Sequence, residues 1–228
     1  INLVQSSNTF AGTLSIASAT EVTLRVTDSL TLGDVNASGT LDVIAATDLV
    51  LDGAIQVAMF DATATTGSIT QGDESQLTVS TGPTDLAAGT DISLNSASND
   101  FIGTLNASGA SISLADVNAL ILGKISASAG LAVETAGNLD LSGSVNIGSL
   151  DLTSTAGNIT QSAGTLSVLT GSTDLQASGS ITLMQANAFG GTLNVAGATD
   201  VTLNETDALL TLGDITASGT LDVTAAID

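Results

Sequence analysis

The chain has 228 residues and a formal net charge of −21, set by 23 Asp and Glu against two basic residues, Arg25 and Lys124. That balance excludes nucleic acids, whose phosphates need clustered Lys and Arg to displace counterions, and it excludes anionic membrane surfaces for the same reason. With no Cys and no His, disulfides, thiolate nucleophiles, haem attachment and the usual zinc sites drop out together.

Hydrophobic residues make up 43% of the chain and aromatics only 2%, so the core must be built from Val, Leu, Ile and Ala. Such side chains fill a thin, layered interior better than a globular one. No apolar run approaches the roughly 18 residues of a membrane span. No signal segment is visible, and the chain begins at Ile1 without an initiator Met, as a slice of a longer protein would.

In chain order, the predicted elements are short strands with one residue outward between two inward. They include Val22-Thr23-Leu24, Leu30-Thr31-Leu32, Leu41-Asp42-Val43, Ile92-Ser93-Leu94, Leu139-Asp140-Leu141 and Val201-Thr202-Leu203. Gly, Ser, Thr, Asn and Asp separate them, and no stretch carries helical periodicity. Ahead of many triplets stands an Asp or Asn: Asp48, Asp85, Asp91, Asn138, Asn158, Asp174 and Asp200. These residues suit tight corners, since they cap backbone N–H groups and tolerate left-handed angles. Pro83 is the single proline, as expected where nearly every N–H is needed between strands.

Two periods organise these strands. LGDVNASGTLDV at Leu32 returns as LGKISASAGLAV at Leu122 and as LGDITASGTLDV at Leu212, a spacing of 90 residues each time. The GTL at Gly12 recurs at Gly103 and Gly191, and GSITQ at Gly67 recurs as GNITQ at Gly157. Inside this unit, LDVIAATDLVL at Leu41 resembles FDATATTGSIT at Phe60, and LAVETAGNLDL at Leu131 resembles LDLTSTAGNIT at Leu150, both at an offset of 19. The chain therefore reads as about two and a half copies of a 90-residue superrepeat, 32–43, 122–133 and 212–223 being equivalent, each copy made of roughly five coils of variable length.

The expected fold is all-β: one continuous parallel β-solenoid over residues 1–228, with some eleven or twelve coils and a rod of very roughly 55 Å at a spacing of about 4.8 Å. The alternative is a string of immunoglobulin-like sandwiches, which a 90-residue period would also fit. Short strands, scarce aromatics and the lack of a linker count against it.

The run SAGTLSVLTGSTDLQASGSITL (Ser162 to Leu183), with GNITQSAG before it and ASGTLDVTAA near the end, resembles the repeat regions of large secreted bacterial β-strand-repeat proteins, the filamentous-haemagglutinin-like adhesins. The resemblance covers essentially the whole chain. It implies a right-handed β-helical shaft exported to the bacterial surface and serving adhesion, aggregation or biofilm-matrix building, with self-assembly into fibres and contact with host or neighbouring cells.

The expected function is a non-catalytic, extracellular structural or adhesive fibre, with a solenoid face for glycans or divalent cations as the alternative. No cofactor is expected. Calcium is the one ion the acidic residues invite, and Asp34, Asp214, Asp48, Asp85, Asp174 and Asp200 are its candidate ligands, although both the calcium nonapeptide of β-rolls and an EF-hand loop are missing. Solvated corners are the simpler reading of these carboxylates. Phe10, Phe101 and Phe189 hold matching places near the GTL tripeptides and mark core or corner filling. The outward positions vary among Thr, Ser, Asp, Ala and Arg25, too irregular for an ice-binding Thr ladder. Paired carboxylates without an aromatic sugar platform do not make a glycosidase. The sequons at Asn36, Asn106, Asn158 and Asn204 are the chance yield of a chain rich in Ser and Thr.

Overall fold

The structure, a computed structural model, describes residues 1–5, 7–206 and 210–226. All regular elements among these residues are strands, and the strands pair in parallel. A sandwich pairs its neighbours antiparallel, so the sandwich alternative falls and the β-solenoid stands. The chain divides into two compact units, Ile1–Asp116 and Val117–Asp228.

In the first unit three ladders run side by side. The first stacks Asn2–Leu3, Val22–Val26, Thr40–Ala45, Met59–Ala64, Thr84–Ala88 and the start of Thr104–Asp116. The second stacks the start of Thr13–Ala19, the start of Leu30–Ala37, Leu49–Leu51, Ile69–Gln71, Ile92–Leu94 and the end of Thr104–Asp116. The third passes through Val35, Ala54–Val57, Gln76–Val79 and Asp100–Phe101.

The second unit is built the same way. Its first ladder runs Leu120, Leu139, Ile159, Ile181, Val201, Leu221; its second runs Ile125, Val145, Leu166, Asn187; its third runs Leu131, Leu150, Thr173, Leu193, Leu212.

The triplets of the sequence are the strands. Leu30, Leu32, Leu41, Val43, Leu139 and Leu141 are each wholly buried while the residue between each pair is half-buried. Like side chains stack on like from coil to coil, as Leu30, Leu49, Ile69 and Ile92 do. Each fully buried aliphatic side chain contributes about 2 kcal/mol, and repetition along the stack supplies the stability that aromatics supply elsewhere. Both 19-residue offsets read from the sequence are true inter-coil registers, Leu41 beside Phe60 and Leu131 beside Leu150.

The superrepeat does not close on whole turns. Leu14 stands in the second ladder of its unit, yet its equivalent Leu105 stands in the first. Likewise Leu122 and its equivalent Leu212 occupy different ladders of the second unit. Fourteen strand positions separate such equivalents, and fourteen positions shared among three ladders make four and two-thirds turns, within the roughly five expected. Equivalent side chains of successive superrepeats thus step from one face to another.

Candidate functional site

Polar chemistry gathers in three places: the corners, an outward acidic column and a buried amide pair. At the corners, Asp48 Oδ1 accepts the backbone N–H of Ser68 at 2.9 Å, Asp91 that of Ser111 at 2.9 Å, Asn138 that of Asn158 at 2.9 Å, and Asn158 that of Ser180 at 2.8 Å. Asp200 takes both the N–H and the hydroxyl of Thr220, at 2.8 Å each, and these bonds hold its carboxyl below the usual range. Asp34 and Glu21 cap Ala54 and Thr40 in the same way, each at 2.9 Å.

Each of these caps reaches one coil along the stack. In many of them the residue before the capped N–H is glycine, because the cap folds across its bare Cα. A Cβ at Gly67, Gly179 or Gly219 would collide with Asp48, Asn158 or Asp200, and one at Gly157 would lie 2.7 Å from Asn138 Oδ1. The expected left-handed corners are corrected here. Among the described residues only Gly164 has positive φ, at 73°, so Asp and Asn serve the corners through their oxygens while keeping an ordinary backbone.

The candidate calcium ligands separate accordingly. Asp34, Asp48 and Asp200 are committed to caps. Asp85 and Asp174 do not sit at corners: each is an outward residue inside a strand, Thr84–Ala88 and Thr173–Ala177. The Thr before them misleads the sequence reading, because Thr84 and Thr173 are inward strand residues, each 1% exposed.

These two carboxylates belong to the acidic column. In the first unit Asp42, Asp61 and Asp85 lie directly side by side on successive coils and end on Asn106, whose amide donates to Asp85 Oδ1 at 2.8 Å. Arg25 meets Asp42 at 2.7 Å. In the second unit Asp151, Asp174 and Asn194 repeat the arrangement, with Asn194 donating to Asp174 at 2.8 Å. Burial raises the Asp61 carboxyl first, then repulsion from Asp42 and Asp85, with Arg25 opposing. Burial likewise raises Asp151, followed by Asp174 and Glu134. Asp151, Thr153, Asp174, Gln176, Asn194 and Asp214 line an open hollow of about 460 Å³. No three carboxylates among the described residues converge well enough to hold a metal ion.

The buried amide pairs escape sequence reasoning. Gln71 and Asn99 exchange hydrogen bonds at 2.6 and 2.9 Å, and Asn99, wholly buried, also accepts from Leu77 N–H at 2.9 Å and donates to Leu94 carbonyl at 3.1 Å. Gln161 and the wholly buried Asn187 repeat the pair, with Gln161 donating at 2.8 Å and Asn187 donating to Leu183 carbonyl at 3.1 Å. Beside them a buried carboxylate caps a phenylalanine: Asp116 accepts from Phe101 N–H at 2.8 Å and Glu205 from Phe189 N–H at 2.9 Å. The recurring GSITQ and GNITQ segments carried the signal, since their last residues are Gln71 and Gln161.

Phe101 and Phe189 fill the core at 1% and 2% exposure, whereas Phe10 is half-buried outside any strand. Three sequon asparagines are already bonded: Asn106 to Asp85, Asn158 to Ser180, and Asn204 to the carbonyls of Met184 and Gln185. Asn36 lines a small surface hollow of about 240 Å³.

Parallel coils, aliphatic stacks and polar features that return once per superrepeat define a β-solenoid repeat protein. The chain belongs to the DUF5649 family, described as repeats of unknown function, whose family model matches residues 49–108, 129–196 and 198–228. No curated protein and no solved structure matches it.

Proposed function

We propose that the chain is a non-catalytic segment of a secreted bacterial surface fibre, an adhesin shaft or biofilm-matrix filament of the kind the filamentous-haemagglutinin-like resemblance implies. The observation that carries this reading is the use of the polar residues. Within each unit they cap neighbouring coils, pair with one another or stack outward, and the described interior is packed with aliphatic side chains. A ladder bonded along its length resists extension, repetition adds length, and the charge of −21 keeps neighbouring fibres apart. Its partners are other chains of its kind and the surfaces they meet. Electron microscopy of the purified protein tests the reading: elongated rods with a β-type circular dichroism spectrum are expected, and compact particles would remove it.

The hollow beside Asp151, Asp174 and Asp214 favours a second reading, a face for calcium or glycan. A calcium-dependent rise in melting temperature that Asp174→Asn abolishes supports this version. A rise that survives the substitution counts against it.

A further inference from the structure

The four sequons at Asn36, Asn106, Asn158 and Asn204 look alike in sequence, and the fold treats one of them differently. Attaching a sugar to asparagine needs the side-chain nitrogen free to attack and the hydroxyl two residues on free to be gripped by the transferase. At three sequons that nitrogen is already donating: Asn106 Nδ2 to Asp85 at 2.8 Å, Asn158 Nδ2 to Asn138 at 3.3 Å, and Asn204 Nδ2 to the carbonyls of Met184 and Gln185 at 3.3 and 3.1 Å. Two of their hydroxyls are tied as well, Thr160 to Asp140 and Thr206 to the Asn187 carbonyl, each at 2.9 Å. At the fourth, Asn36 and Ser38 are both exposed, and among the described residues neither side chain has a hydrogen-bond partner. Coils pack on both sides of this position, Val35 lying beside Ile16 and beside Ile55, so Asn36 is exposed as an outward side chain within the stack. Gln56 and Thr78 follow it in the same outward column, and with Ser38 and Ser80 they line the hollow of about 240 Å³.

We propose that Asn36 is an N-glycan acceptor, modified by a transferase that takes its sugar from a diphosphate donor. In that step Asn36 Nδ2 attacks C1 of the activated sugar, and the bond from C1 to the diphosphate oxygen breaks. The diphosphate leaves with the electron pair, and the amide proton passes to a base of the transferase. A nucleoside diphosphate sugar and a lipid-pyrophosphate glycan present the same bond. The hollow seats the first sugar ring, where the Gln56 amide and the Thr78 hydroxyl offer donors and acceptors to its hydroxyls. Ser126 and Thr216 stand at the equivalent places of the later superrepeats, so the sugar marks one copy and leaves the same position bare in the others. The fibre reading enters only through export, which brings such a chain to such transferases; the selection among sequons is a property of the fold.

The test is glycopeptide mass spectrometry of the folded 228-residue chain, incubated in two arms. One arm supplies a soluble asparagine glucosyltransferase with UDP-glucose, the other a membrane oligosaccharyltransferase with a lipid-pyrophosphate oligosaccharide, and whichever modifies Asn36 identifies the donor class. Synthetic peptides spanning each sequon give the reference for its intrinsic reactivity. Relative to its own peptide, Asn36 should keep most of its reactivity in the folded chain. Asn106, Asn158 and Asn204 should lose about tenfold or more, the cost of breaking a hydrogen bond before attack. Asn36→Gln should remove nearly all the sugar from the folded chain, and Asp85→Ala, which frees Asn106 Nδ2, should restore that sequon alone. A loss at Asn36 as large as at the other three, or an unmodified Asn36 in an arm where its peptide reacts, overturns the proposal. Sugar on Asn36 of a chain that forms no rods leaves it standing and removes the fibre reading alone.

Discussion

The acidic columns of the two units share two equivalent carboxylates and differ in what stands before them: Asp42 lies beside Asp61 in the first, whereas Ala132 lies beside Asp151 in the second. Asp61 and Asp85 in the first unit correspond to Asp151 and Asp174 in the second, and each column ends on an asparagine that donates to its last carboxylate. The first holds a cation, Arg25, against Asp42. In the second, Glu134 adds repulsion. The buried amide pairs show no such difference. Interior hydrogen bonds keep the same partners from copy to copy, a glutamine amide and one backbone N–H on each buried asparagine, while outward charge varies between copies.

Three measurements would break or sharpen that comparison. The largest effect is expected from Asn99→Ala and Asn187→Ala. Each strands a buried N–H, of Leu77 or Leu166, together with a glutamine amide, at a cost of about 3 kcal/mol in chemical denaturation. Unequal losses would show that the two pairs are not equivalent.

Next comes Arg25→Ala, which should cost about 0.5–1 kcal/mol in dilute buffer and much less in 1 M salt, because the pair is partly solvated. It should also raise the Asp61 carboxyl further, since Arg25 opposes that rise.

Smallest is the gain from relieving repulsion. Asp151→Asn and Asp61→Asn should each raise stability at pH 7 by less than about 1 kcal/mol, Asp151→Asn by more because no cation opposes it. The pH dependence follows from linkage. A carboxyl raised in the folded state binds its proton more tightly there than in the unfolded chain, so the wild type gains stability as pH falls from neutral through the raised value toward 3.8. Over that window the advantage of both variants should fade. Asp200 works in the opposite sense: its carboxyl is lowered, so its stabilisation is lost as pH falls below 3.8 through the folded value. Melting temperatures from pH 7 to pH 3 check both signs.

Much of the fold was legible before any coordinates. The inward-outward-inward triplets, such as Leu41-Asp42-Val43, are the strands, and the 19-residue echoes of Leu41 in Phe60 and of Leu131 in Leu150 are the coil registers. Corner assignment was legible at Asp48, Asp91, Asn138, Asn158 and Asp200 and failed at Asp85 and Asp174. A Thr-Asp pair looks the same in sequence whether the Thr is a turn residue or a buried strand residue. The amide pairs were hidden because Gln71 and Asn99 are 28 residues apart, and Gln161 and Asn187 are 26, spacings that match neither period of the sequence.

By itself the sequence determined the alphabet of the core, the strand period of two and the two repeat lengths, because each of these is a local demand: alternate residues must face the interior, and each coil must present the same shape to the next. Only the tertiary structure decided which ladder each strand joined, that a superrepeat spans four and two-thirds turns, which carboxylates cap a coil and which repel their neighbours, and where an amide is sealed inside. Those outcomes depend on how many corners the chain has turned before a given residue, a sum over the whole coil path that no single segment carries.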